Sequence, residues 1–207
     1  MTMKESKISR ALTWMIDIIF SGILWCLFSL PVVTIGAASA ALYYAAVKCV
    51  RHDRGHLWPV FWKGFRDNLR GSTKMWLLYL IAIAAGAANI LAARQWSGDG
   101  VSTLTAFGGI IFLPVVLTLP WMFACLSRFE NTMLGSLKFV MFLTVSNFGR
   151  TLLLTAELLG TLAITWVMPQ IVPLLPGAVA LMMSLTIEPV FRTYTADADV
   201  EDAWFNE

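Results

Sequence analysis

Six stretches of the chain are almost free of charge. They lie at about 11–30, 34–50, between Lys74 and Arg94, 104–126, 151–169 and 177–191, and none holds more than one charged side chain inside it. A bilayer core about 30 Å thick is crossed by roughly 20 residues of α-helix. Soluble domains carry roughly a quarter charged residues, whereas this 207-residue chain has 14% charged and 58% apolar. It has too little polar surface to cover a water-soluble core of that size. A soluble enzyme and a disordered regulator are excluded on that ground, and a net charge of +2 is too small for a nucleic-acid binder. The expected fold is all-α: a polytopic membrane bundle of six transmembrane helices, with cytoplasmic amphipathic connecting helices. Residues 1–195 form one membrane domain, and 196–207 an acidic cytoplasmic tail.

The direction of the spans follows from the bases. With the N-terminus in the cytoplasm, six crossings put every one of the fifteen Lys and Arg residues on the inner side except Arg94. That is the asymmetry a cytoplasmic face imposes, and it places both termini inside a cell membrane. The run 11–30 exceeds the 7–15 residues of a signal-peptide core, so despite the Ala38-Ser39-Ala40 sequence it reads as a retained anchor. Lys48, near the end of the short second span, is expected to snorkel outward. Pro114 and Pro120 are expected to break or kink the fourth span, and Pro169, Pro173 and Pro176 to form a tight reversal between the last two.

Two inner connections exceed simple turns. Over 59–74, Phe61, Trp62, Phe65 and Leu69 recur at helical spacing, with Lys63, Arg66 and Arg70 on another side. This predicts a basic, aromatic-anchored helix along the inner membrane surface. Phe61, Trp62, Lys63, Phe65, Arg66 and Arg70 are then a candidate surface for anionic lipid or for docking a cytoplasmic partner. The connection 131–150 has the same character with fewer charges.

Inside the spans, Asp17, Glu157 and Glu188 are the groups to explain, because an ionised side chain at mid-bilayer costs about 2.5–3.5 kcal/mol on insertion scales. Each stands four or seven residues from an arginine (Arg10, Arg150 or Arg192), which puts it about 6–11 Å from that base along a helix. Asp17, Glu157, Glu188 and Arg192 are therefore a candidate intramembrane polar cluster. It is either structural, with Glu188 pairing with Arg192 one turn away, or the lining of a cavity open to the cytoplasm. Asn89 is expected to bond between helices. Ala37, Ala41 and Ala45, like Ala84, Ala88 and Ala92, form small-residue stripes that let helices approach closely.

Enzyme signatures are missing from the sequence. Gly71-Ser72-Thr73-Lys74 lacks the upstream glycine and the Lys-Ser/Thr ending of a phosphate-binding loop. There is no HExxH and no GxSxG motif. His52 and His56, with Cys49 and Asp53, are interrupted by Gly55 and too few for a convincing metal site. The expectation is a non-enzymatic protein with no catalytic residue, no cofactor, no metal and no nucleic-acid partner.

Asp17, Trp25, Ser29-Leu30-Pro31-Val32-Val33-Thr34-Ile35-Gly36-Ala37 and Ala41-Leu42-Tyr43 resemble the opening of the YesL-like family of bacterial integral membrane proteins. Phe61, Phe65 and Asn68, and Arg128-Phe129-Glu130-Asn131, extend the resemblance over about 11–195. Gly22 stands where many relatives have asparagine. The family is a domain of unknown function whose genes commonly lie beside carbohydrate uptake transporters of the ATP-binding-cassette type. The resemblance thus implies an accessory role beside such a permease or ATPase. The alternative is a solute-binding or transporting six-span subunit in its own right, with Pro114, Pro120 and Asn89 as pointers to a midplane site.

Overall fold

A computed structural model describes residues 7–52, 55–95, 100–129 and 132–194. Seven α-helices account for nearly all of them: α1 (Lys7–Phe28), α2 (Ile35–Ala45), α3 (Leu57–Gln95), α4 (Gly100–Arg128), α5 (Met133–Ser146), α6 (Phe148–Val167) and α7 (Leu175–Tyr194). No strand occurs among the described residues. Among the described residues, four segments are long and apolar enough to cross a membrane: Val32–Arg51, Leu57–Ala92, Gly108–Arg128 and Phe148–Val167. The apolar part of α1, Leu12–Phe28, is shorter. The expected first and sixth spans fall on α1 and α7, which are not among these four, and the chain has the make-up of a multi-pass membrane protein.

The turn from α1 to α2 is built by the Ser-Leu-Pro-x-x-Thr-Ile-Gly sequence. The helix stops at Phe28, ahead of Pro31, whose ring cannot continue it. The Thr34 hydroxyl then lies 2.7 Å from the Phe28 carbonyl and 2.8 Å from that of Pro31, serving acceptors that a helix end leaves open. The Trp76 indole donates to the Val32 carbonyl at 2.7 Å. Gly36 lies directly against α3: a Cβ there would sit 2.6 Å from the Trp76 Cβ and 2.7 Å from the Ser72 carbonyl oxygen. The most distinctive motif in the sequence is therefore a packing device joining three helices.

Helix α2 is the axis of the molecule. From Gly36 to Val50 every residue is buried except Ser39, which is half-buried. Its small side chains admit α3 closely, with Gly64 facing Tyr44 and Ala41. α1, α4 and α7 close the other sides. Beyond Ala45 the backbone widens into a π-helical turn, Ala46–Arg51, a geometry rare in helices and frequent at functional positions.

Several expectations are corrected here. The 59–74 segment and the third span are one continuous 39-residue helix, α3, because nothing between Arg70 and Met75 interrupts the helical pattern. At 1.5 Å per residue it is about 58 Å long, so it does not hold a separate helix lying flat on the membrane. Pro114 and Pro120 do not break α4, which runs on through both. α5 is short and exposes Leu134, Met141, Phe142 and Val145, so its outer face is largely apolar, with Lys138 as the exposed base on it. Only Asn147 separates it from α6. The reversal at Pro169–Ile171 is as expected.

Candidate functional site

The polar interior gathers where α2, α4 and α7 meet. Glu188, on α7, is 1% exposed. Its Oε1 accepts a hydrogen bond from the Tyr43 hydroxyl of α2 at 2.9 Å. Its Oε2 forms an ion pair with the Arg128 guanidinium of α4, and that guanidinium also lies over the Phe191 ring. One turn earlier on α7, the Ser184 carbonyl accepts from Arg51 Nη1 at 2.7 Å. Tyr43 on α2 and Arg51 at the end of the π-helical turn that continues it both face α7, where Ser184 and Glu188 stand four apart, so helical phase sets these contacts. Arg51 and Arg128 both lie within electrostatic range of the Tyr43 hydroxyl. Arg51 makes no ion pair among the described residues, so the junction holds two guanidiniums around one carboxylate.

Both carboxylate oxygens of Glu188 are thus committed. The arrangement can lock three helices together, with each oxygen held by a different neighbouring helix. Other buried polar groups likewise bridge helices. Trp121 Nε1 donates to the Thr151 hydroxyl at 3.0 Å, which lies 3.0 Å from the Thr144 carbonyl, tying α4, α6 and α5. The Tyr79 hydroxyl bonds Thr118 at 2.8 Å, tying α3 to α4. Among the described residues no three His, Cys, Asp or Glu side chains are placed to share a metal ion.

The four residues of the expected intramembrane cluster lie in different settings. Glu188 is at the centre just described, held by Arg128, sixty residues distant in sequence. Arg192 is exposed. Asp17 is half-buried on α1, within electrostatic range of Cys49 in the π-helical turn. Glu157 is half-buried on α6, and its Oε2 is enclosed without a hydrogen-bond partner among the described residues. Lys48 does not snorkel outward: it is 7% exposed and folds back on Tyr44, its Nζ 3.0 Å from the hydroxyl. Sequence reasoning placed Arg51 and Arg128 among inner-loop bases. The available signal was their position at the very ends of apolar runs, where a helical phase could still turn them inward.

The candidate docking surface divides in two. Phe61 is 0% and Phe65 9% exposed, and both pack their rings at a tilt against Phe28, so neither lines a surface. Trp62, Lys63, Arg66 and Arg70 are exposed. With Lys74, also exposed, the bases form a stripe at three- and four-residue spacing along the first half of α3. Trp58 stacks on Trp62 beside it, their rings 6.2 Å apart. The Ala37, Ala41 and Ala45 stripe is fully buried, but Ala84, Ala88 and Ala92 are exposed. At that level Gly86 makes the close approach to α4 instead, against Phe112. Asn89 does face α4, at Gly108, yet its Oδ1 has no hydrogen-bond partner among the described residues. Of the tail 196–207 and of Asp53, nothing lies within the described residues.

The family model described as a protein of unknown function, DUF624, matches residues 18–90. That segment runs from α1 through α2 to nearly the end of α3, and contains the Pro31–Gly36 turn, Phe61, Phe65 and Asn68. Arg128 and Glu188 lie beyond it. No curated protein and no solved structure matches the chain.

Proposed function

We propose that the chain is a non-enzymatic subunit of a cell membrane, crossing it six times with both termini in the cytoplasm, and that it serves as an accessory component of a carbohydrate uptake system of the ATP-binding-cassette type. The observation that carries this reading is the exposed stripe Lys63, Arg66, Arg70 and Lys74. A helix of about 58 Å is roughly twice the hydrocarbon thickness. Four bases along one half mark that half as the part outside the hydrocarbon, where it is free to meet an acidic partner surface or the anionic headgroups beside one. The tie to sugar uptake comes from the YesL-like resemblance, with which the match to a family of unknown function is consistent.

Purification from native membranes in mild detergent tests it. Recovery of a permease or its ATPase, lost when Lys63, Arg66 and Arg70 are changed to Gln, is the expected result; recovery of neither overturns it. The second reading, a solute-binding or transporting subunit, is supported by the polar junction of Arg51, Arg128 and Glu188. Sugar accumulation in proteoliposomes holding this chain alone would favour it over the first.

A further inference from the structure

We infer that α6 is a docking face for a transmembrane helix of another protein, and that Glu157 is its polar anchor, bonding a cationic or amide side chain of that helix. The inference rests on the accessory-subunit reading and specifies the chemistry of the partner.

α6 has 20 residues, so its length of about 30 Å equals the hydrocarbon thickness. Glu157 is its tenth residue, at the middle of the membrane, where ionisable groups are paired or mark function. Here the carboxylate has no ion pair among the described residues; its Oε2 is enclosed without a hydrogen bond, and Oε1, which is not enclosed, is the oxygen a second helix would reach. α6 is also the least enclosed of the membrane-length helices, with 17% of its apolar window buried. Glu157 stands at the edge of the inward face set by Leu154, Leu158 and Thr161. Ala156 and Gly160, both exposed, flank it on the open side, and a Cβ at Gly160 would meet nothing within 4 Å. Small residues four apart beside a polar group let a second backbone approach until side chains bond across. A second copy of this chain is the poorer occupant, since a two-fold contact sets Glu157 against a like charge. The charge complement is a Lys, Arg, Asn or Gln side chain.

The test has two arms. A photo-crosslinking residue replaces Gly160 in the full chain in native membranes, and the adduct is mapped by mass spectrometry. The expected adduct is with a different chain, within a transmembrane helix bearing one of those side chains near the cross-link. It falls at least tenfold in Glu157→Leu and is kept in Glu157→Gln. In the second arm, purified Glu157→Leu melts at or above the wild-type midpoint, because an unpartnered carboxylate leaves the bundle. An adduct to a second copy, adducts to lipid alone, an adduct indifferent to Glu157→Leu, or a midpoint several degrees lower each overturns the proposal. An adduct on a helix unrelated to any transporter keeps the docking face and ends the uptake reading. Co-purification of a permease that survives Glu157→Leu does the reverse.

Discussion

The segment built around α2, Val32–Arg51, and α6, Phe148–Val167, are similar in hydropathy and length, yet they occupy opposite positions. In Val32–Arg51, 72% of the apolar window is buried within the protein; in Phe148–Val167, 17% is. Hydropathy measures only preference for an apolar medium, which protein interior and lipid satisfy equally. What separates the two helices is side-chain size. α2 opens with Ile35-Gly36-Ala37-Ala38-Ser39-Ala40-Ala41, slim enough for several neighbours to pack at close range. α6 presents Leu152, Leu153, Leu159 and Leu162 outward, bulky groups that lipid accommodates. α2 also has polar ties to its neighbours, through Tyr43 to Glu188 and Arg51 to Ser184, whereas Glu157 on α6 is left without a bond at Oε2.

The largest expected effect breaks the junction that holds α2. Glu188→Ala leaves the Arg128 guanidinium buried without its counter-charge, which costs about 3–5 kcal/mol. Replacing Arg128 and Glu188 together by Met should recover most of that. A double-mutant cycle by thermal unfolding in detergent checks both, and additivity of the single changes would show that the pair is not coupled. Next comes one substitution made twice. Gly36→Ala drives a methyl into Trp76 and the Ser72 carbonyl, with an overpacking cost of about 1–3 kcal/mol. Gly160→Ala, with open space around it, should instead stabilise α6 by about 0.5–1 kcal/mol. Opposite signs in unfolding midpoints sharpen the contrast between the two helices, and equal signs remove it. The smallest effect on stability is expected from Lys63→Gln, Arg66→Gln and Arg70→Gln, exposed changes each within about 0.5 kcal/mol.

The helices themselves were legible in the sequence, because runs of apolar residues bounded by charge or proline leave little else to form in a bilayer. Their continuity was less so. Lys74 looked like the boundary between a surface helix and a span, but a helix is ended by its backbone, not by a charge on one face, and α3 runs straight through. Glu188 could be singled out as an intramembrane acid, whereas its partner could not: the nearby Arg192 satisfies local spacing, and Arg128 comes close only when α4 and α7 cross. Phe61 and Phe65 show the same limit, since periodicity places aromatics on one face without saying whether that face meets lipid or α2.

The sequence by itself determined that this protein is helical, belongs in a membrane, and sorts its bases away from nearly all of its apolar runs. Those properties follow from transfer energies and from the obligation of each backbone group to bond within its own helix. Only the tertiary structure decided that α2 is the axis, that Arg128 closes on Glu188, and that Glu157 stands at the edge of the bundle without a bond for its buried oxygen. Such choices depend on which helix faces meet, and in an apolar chain side-chain shape and a few interhelical bonds select them after hydropathy has ceased to discriminate.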